Sequence, residues 1–262
     1  MKKIYFAALA MALTACVSNE DLNPVDNYGY IDVNVSNDPV MVTRGDQAVT
    51  DLAGWTITAD GTDNDYTLNL NDNKVLAGTY SITAKNAADV DAANAAENGW
   101  GKAFYASEPQ TVTVSAGNTT PVNIDCGLAK NSKLTLVNSL NETVFTEVRL
   151  HAKKEASYLV MDGTKSVFYS KGTTVDYYIT YTYNYNENGN TQTVSKTIKD
   201  KTNGEEQDFK INIANAATDY KITLSSTDNG TIKVTLTYND SFTPNTSTTL
   251  EFDAATGIQK QQ

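Results

Sequence analysis

One histidine, two cysteines, two tryptophans and five prolines in 262 residues set the first limits. A catalytic triad or Cys–His pair would have to use His151, and no nucleophile elbow accompanies it. Zinc needs more His and Cys ligands than this chain offers. His151 reads instead as a surface residue near a strand end. Basic charge is also scarce. The net charge is −11, and no Lys/Arg cluster is present to neutralise phosphates, so nucleic acid is excluded as a partner. No Gly-rich loop links a strand to a helix as a phosphate cradle would. Asp60-Gly61-Thr62-Asp63-Asn64-Asp65 lacks the spacing and distal Glu of a calcium loop and reads as a polar hairpin turn. Trp55 and Trp100 alone would line a sugar-cleaving cleft thinly. No catalytic residue, metal ligand or cofactor is assigned, and the chain reads as non-enzymatic.

Long apolar runs are missing too. Ile4 to Leu13 (IYFAALAMAL) is too short to span a bilayer as a stable helix. Lys2 and Lys3 precede it, and Leu13-Thr14-Ala15-Cys16 follows. This resembles a bacterial lipobox, which implies a signal peptide over 1–15 and a lipidated thiol at Cys16. The alternative is an ordinary secretory signal that ends near a cysteine. Each buried lipid methylene contributes about 0.8 kcal/mol, so multiple acylation anchors a domain without spanning the membrane. Residues 16–28 are polar and read as a tether. Glu20-Asp21 resembles part of the signal that sends Bacteroidetes lipoproteins to the exterior face of the outer membrane. Besides Cys16 only Cys126 remains, so no intrachain disulfide is expected in the mature chain, and Cys126 reads as a small buried hydrophobe.

The rest is rich in alternating strands. Tyr30–Val35, Trp55–Thr58, Tyr66–Leu70, Tyr80–Thr83 and Thr111–Val114 alternate apolar and polar residues between Gly, Asn and Asp clusters. Longer strands follow residue 131, among them Lys133–Leu140, Val144–His151, Thr173–Tyr185 and Thr231–Tyr238. These patterns predict an all-β fold of two antiparallel β-sandwich domains in tandem, over 29–131 and 132–257, with a tail over 258–262. A single continuous barrel is the alternative. The Ala-rich stretch Asn86–Asn98 is either a short helix or a loop insertion.

Side-chain parity predicts two hairpin registers. Around Asp228-Asn229-Gly230, a three-residue loop places Leu224 opposite Val234 and Ile222 opposite Leu236, with Gly230 left-handed. In DYYITYTYNYNENGN, a two-residue Asn188-Gly189 loop places Tyr183 opposite Val194 and Ile179 opposite Ile198. Tyr177, Ile179, Tyr181, Tyr183 and Tyr185 then share one face, so the base of the row enters a core. Its distal end, Tyr181, Tyr183 and Tyr185 with Lys196 and Gln192, is the candidate ligand platform. It serves as one only if the hairpin projects beyond the sandwich.

Leu76-Ala77-Gly78-Thr79-Tyr80 resembles the strand entry of transthyretin-like sandwiches. With Ala103-Phe104-Tyr105, Thr111–Val114 and Val122–Asn131, it is similar to a family of Bacteroidales lipoproteins classed as a domain of unknown function. That family is similar in architecture to fimbrillins, the two-sandwich subunits of surface pili. Ala106-Ser107-Glu108-Pro109 departs from the family pattern, which has a glycine there. The resemblance implies a structural or adhesive lipoprotein of the outer membrane, facing the cell exterior, such as a pilus accessory. It also makes Arg44 a candidate protease site, where cutting would free the first strand and open its groove to β-strand addition by other surface or pilus proteins. A solvated loop arginine is the simpler reading. The alternative function is a glycan-binding lipoprotein of a polysaccharide-uptake system.

Overall fold

The computed structural model describes residues 27–37, 47–48, 53–201, 204–228, 230–239 and 246–260. Cys16 and Arg44 lie outside them. The first half forms β1 (Tyr28–Asn37), β2 (Gln47–Ala48), β3 (Thr56–Gly61), β4 (Asp65–Leu68), β5 (Asn71–Leu76) and β6 (Gly78–Lys85). A helix α1 (Val90–Ala95) and a 3-10 turn (Glu97–Gly99) follow, then β7 (Gln110–Val114) and β8 (Thr119–Asp125). The second half forms β9 (Asn131–Ser139), β10 (Phe145–Lys154), β11 (Ser157–Met161), β12 (Val167–Ser170) and β13 (Thr174–Glu187). It ends with β14 (Asn190–Ile198), β15 (Phe209–Asn212), β16 (Asp219–Ser225), β17 (Thr231–Asn239) and β18 (Thr246–Asp253).

These strands make two β-sandwiches. In the first, β1 stands between β8 and the β5/β2 side, and packs on the sheet β4-β3-β6-β7. In the second, β11-β10-β13-β14, with β15 also on β13, packs on β12-β9-β16-β17-β18. Alternation delivers the packing. Ile31, Val33 and Val35 of β1 are buried with Ile57, Ile82 and Val122, while Leu134, Leu150, Ile179 and Ile222 fill the second core. Among the described residues, pairing is antiparallel except at β1/β8 and β9/β16, which run parallel. Each sandwich therefore opens with a strand in the interior of a sheet, hydrogen-bonded on both sides. The antiparallel expectation missed these two pairs because their strands are distant in sequence.

Local rules explain the entries and turns. The Tyr80 hydroxyl donates to the Leu76 carbonyl at 2.7 Å, which pins the start of β6 in the manner of a tyrosine corner. Asp60–Asp65 is the turn of the β3–β4 hairpin, with the Gly61 N–H donating to Asp65 Oδ1. Cys126 is buried, and burial pushes its thiol up to about 11. Around Asp228, Leu224 faces Val234 and Ile222 faces Leu236, the register that parity predicts. Gly230 is not among the described glycines with positive φ. Asp228 closes the turn instead, its Oδ1 accepting from the Gly230 and Thr231 N–H groups.

Asn86–Asn98 contains a short helix. Asp89 caps α1, its Oδ1 accepting from the Ala92 N–H at 2.8 Å. The helix belongs to the first half of the chain yet lies against β12 of the second sandwich. Among the described residues, no helix is long and apolar enough to cross a membrane.

Candidate binding surface

The tyrosine row of β13 holds the ligand platform expected from the sequence. Tyr183 faces Val194, Ile179 faces Ile198, Tyr181 faces Lys196 and Tyr185 faces Gln192, as parity predicts. Asn188 and Gly189 form the two-residue turn, both with positive φ. The row nevertheless runs into the core further than expected. Tyr177, Tyr181 and Tyr183 are buried, and Tyr185 is half-buried against the same core. The Tyr181 hydroxyl donates to the Ala254 carbonyl at 2.7 Å. Phe145, Tyr183 and Tyr185 stack on one another with centroids 5.1 and 5.2 Å apart. Tyr181 and Tyr183 are thus no platform. The C-terminal loop sets Ala254 against Tyr181 and Gly257 against Lys196 and Thr197, and strand parity carries no information about that loop. Gln192 stays exposed and Lys196 partly so, but without free rings beside them.

The aromatic surface lies on the opposite face. His151 sits mid-strand in β10, not at a strand end. A bulge between Thr146 and Arg149 shifts the parity of β10, so Phe145 and Leu150 both point inward and His151 points outward. The imidazole stacks on Tyr178, centroids 4.3 Å apart and planes 6° from parallel, and Nε2 meets Thr180 Oγ1 at 2.9 Å. Tyr158 meets Tyr178 edge to face at 5.2 Å, and the Lys199 ammonium lies 5.1 Å from the Tyr178 centroid. The Tyr158 hydroxyl donates to Asp208, which also pairs with Lys199 at 3.1 Å. That hydrogen bond, with a smaller effect of burial, pushes the Tyr158 phenol up to about 12. Burial, then the nearby Arg149, holds the His151 pKa below its ordinary value.

This cluster presents Tyr158 and Val160 to solvent in a face otherwise tied together by Lys153–Asp176 and Lys210–Asp176 pairs. Sequence reasoning missed it. The available signal was Tyr178, the one aromatic on the polar side of the tyrosine hairpin.

A second feature marks the junction between the sandwiches. Asn131 is fully buried. Its Oδ1 accepts from the Phe104 N–H at 2.9 Å, and its Nδ2 donates to Asn94 Oδ1 at 2.8 Å and the Lys102 carbonyl at 2.9 Å. Asn94 in turn donates to Ser170 Oγ at 2.7 Å. Beside this network lies a cleft of about 570 Å³ lined by Asp91, Asn94, Lys153, Lys154, Tyr169 and Asp176. Its charges are mixed, and Lys154 lies 4.5 Å from the Tyr169 centroid. Among the described residues, no group of three or more His, Cys, Asp or Glu side chains is placed to hold a metal ion.

The chain has distant similarity to several solved structures. A fimbrial assembly protein from Parabacteroides distasonis is 11% identical, with a TM-score of 0.36 over 84% of this chain and 99% of that one. A candidate cell adhesion protein from Bacteroides eggerthii is 8% identical, with a TM-score of 0.34 over 76% of this chain and 86% of that one. A candidate polysaccharide-binding protein from Bacteroides thetaiotaomicron is 11% identical, with a TM-score of 0.31 over 79% of this chain and 95% of that one. Comparison with curated proteins gives no match. The family described as domain of unknown function (DUF4493) matches residues 29–254, across both sandwiches, and the chain belongs to that family.

Proposed function

We propose that this chain is a non-enzymatic surface lipoprotein with a structural or adhesive role, held to the outer membrane through lipid on Cys16 and facing the cell exterior. Pilus-accessory work is the form of that role the resemblance implies. The observation that carries the reading is the outward face of β10, β11 and β13. There Tyr158 and Val160 are exposed on a sheet stiffened by the His151–Tyr178 stack and by paired charges. A rigid two-sandwich body with an aromatic face suits contact with another macromolecule.

Two measurements test it. Labelling with a palmitate analogue should mark the wild-type chain and not Cys16→Ser. Protease added to intact cells should digest the wild-type chain; protection in intact cells, or label retained by Cys16→Ser, would overturn the anchored, outward-facing reading. For the adhesive role, cells displaying Tyr158→Ala should adhere less than wild-type cells at equal display, and equal adhesion would remove this face from the function.

A glycan ligand is the second reading. It no longer rests on Tyr181, Tyr183 and Tyr185, and passes to the exposed ring of Tyr158. A glycan array probed with wild type and Tyr158→Ala separates it from protein-mediated adhesion.

A further inference from the structure

The edges of the second sandwich are treated unequally. At β12 the Phe168 N–H donates to the Trp100 carbonyl, and α1 lies against the strand. At the C-terminal end of β18, the Lys260 N–H donates to the Glu251 carbonyl, and the remainder of that strand is Thr- and Ser-rich. The β14 edge reads NTQTVSKTI, polar along most of its length. The short β15, FKIN, also edges that sheet beside β13 and carries the charge of Lys210, paired with Asp176. The opposite edge of the sheet is β11, SYLVM, which pairs only with β10 among the described residues. It contains no charge and no proline. Its outward side chains, Tyr158 at 36% and Val160 at 48% exposure, are two of the five exposed large hydrophobic side chains among the described residues. Exposed apolar edges are normally blunted by lysine, proline or a cover, because their free N–H and C=O groups pair with any strand that reaches them.

The sequence of this edge is self-complementary. A two-fold axis through Leu159 would set two β11 strands antiparallel and place Leu159 opposite its own copy. Tyr158 then faces Val160 of the second copy, and Val160 faces the second Tyr158. Both contacts are aromatic-to-β-branched cross-strand pairs, the favourable kind, and the symmetry makes the contact close on itself. The Leu159 side chain is half-buried beneath, packed with the core.

We propose that two copies of this chain associate edge to edge through β11, joining the sheets β11-β10-β13-β14 of both copies into one continuous sheet. The pairing needs neither lipid at Cys16 nor any ligand. A strand pair of five residues is small beside a stable interface of about 1,200 Å² or more, so the dimer is weak and concentration-dependent.

Sedimentation velocity of the full Cys16→Ser chain over a wide concentration range should show a reversible monomer–dimer equilibrium. Leu159→Cys in that background should cross-link on mild oxidation, because residues directly opposite in an antiparallel pair lie within disulfide reach. Ser157→Cys should not, since its copy lies four residues away along the ladder. Tyr158→Lys alone and Val160→Glu alone should each be monomeric, whereas their mixture should associate, because one lysine then faces one glutamate. Monomer at every concentration would overturn the proposal. So would dimers that cross-link through Ser157→Cys but not through Leu159→Cys, or single variants that associate as well as wild type.

Discussion

Asn131 Nδ2 donates to Asn94 Oδ1 across 2.8 Å, and both carboxamides are buried where the two sandwiches meet. The bond connects the first strand of the second sandwich to a helix contributed by the first half of the chain. Asn131→Ala leaves the Phe104 N–H without its acceptor and Asn94 Oδ1 without its donor, so the expected loss is roughly 3 kcal/mol. Asn131→Asp is expected to be worse, because a carboxylate oxygen would face the Asn94 oxygen and the Lys102 carbonyl without a hydrogen to share. Urea unfolding checks the order. A midpoint for Asn131→Asp above that of Asn131→Ala would contradict this account.

Gly101 serves the same junction. Its φ is +78°, and an added Cβ would lie 2.9 Å from the Asn94 carbonyl oxygen and 3.0 Å from Phe168 Cβ. Gly101→Ala therefore strains the backbone and pushes α1 away from β12, with an expected loss of roughly 1–3 kcal/mol. The sharper readout is limited proteolysis. Cleavage should begin within 86–101 in this variant while both sandwich cores stay intact. Wild-type resistance in that segment would refute the close-approach argument.

Much of the fold was legible because strands have a period of two. The registers at Ile179/Ile198 and Leu224/Val234 followed from where the apolar residues fall, since any slip by one would put them in water. What escaped shares one cause, dependence on residues far away in sequence. Asn86–Asn98 is too short and too weakly amphipathic to declare itself a helix, and its docking surface lies on β12, some seventy residues on. The parallel pairs β1/β8 and β9/β16 have no hairpin signature. Tyr183 reads as a surface candidate until the loop through Ala254 is seen to close over Tyr181 beside it. At the candidate surface, a bulge brings Phe145 and Leu150 to the same face of β10, which simple alternation does not give, and His151 lies mid-strand on the outward face.

His151 supplies a pH dependence whose sign follows from its environment. Burial and Arg149 hold its pKa below the ordinary 6.5, so the unfolded chain takes up this proton more readily than the folded one. Its contribution is fully present above about pH 6.5 and is lost as pH falls from there towards the folded-state value, below which it levels off. The carboxylates held low, Asp176 by Lys210 and Lys153 among them, add losses only nearer their own ordinary value of 3.8. If lost stacking were the whole effect, the melting temperatures of wild type and His151→Phe, a change that retains a ring on Tyr178, would differ by the same amount at every pH. The linkage predicts a steeper fall for wild type between about pH 7 and 5, and parallel curves would refute it.

The turn of the tyrosine hairpin tests backbone strain without side-chain crowding. Gly189 has φ +83°, and an added Cβ would meet nothing within 4 Å. Gly189→Ala should cost about 1 kcal/mol through conformation alone and leave the register unchanged. Amide exchange of residues 179–198 reports both quantities, and a shifted protection pattern would show that the turn, not the apolar faces, sets the pairing.

The buried tyrosines give the last test, because a core role and a ligand role make opposite demands on a hydroxyl. Burial raises the phenol pKa values of Tyr169, Tyr177 and Tyr181 far above the ordinary 10. Phenolate absorbance should therefore rise in two stages, with these three ionising only as the fold opens at high pH. Tyr181→Phe removes the donor to the Ala254 carbonyl and should destabilise the chain by about 1 kcal/mol, while adhesion and any glycan signal stay unchanged. Tyr158→Ala should do the reverse, since its ring is exposed and its packing loss small. A chain that keeps its stability but loses binding in Tyr181→Phe would return the row to the surface.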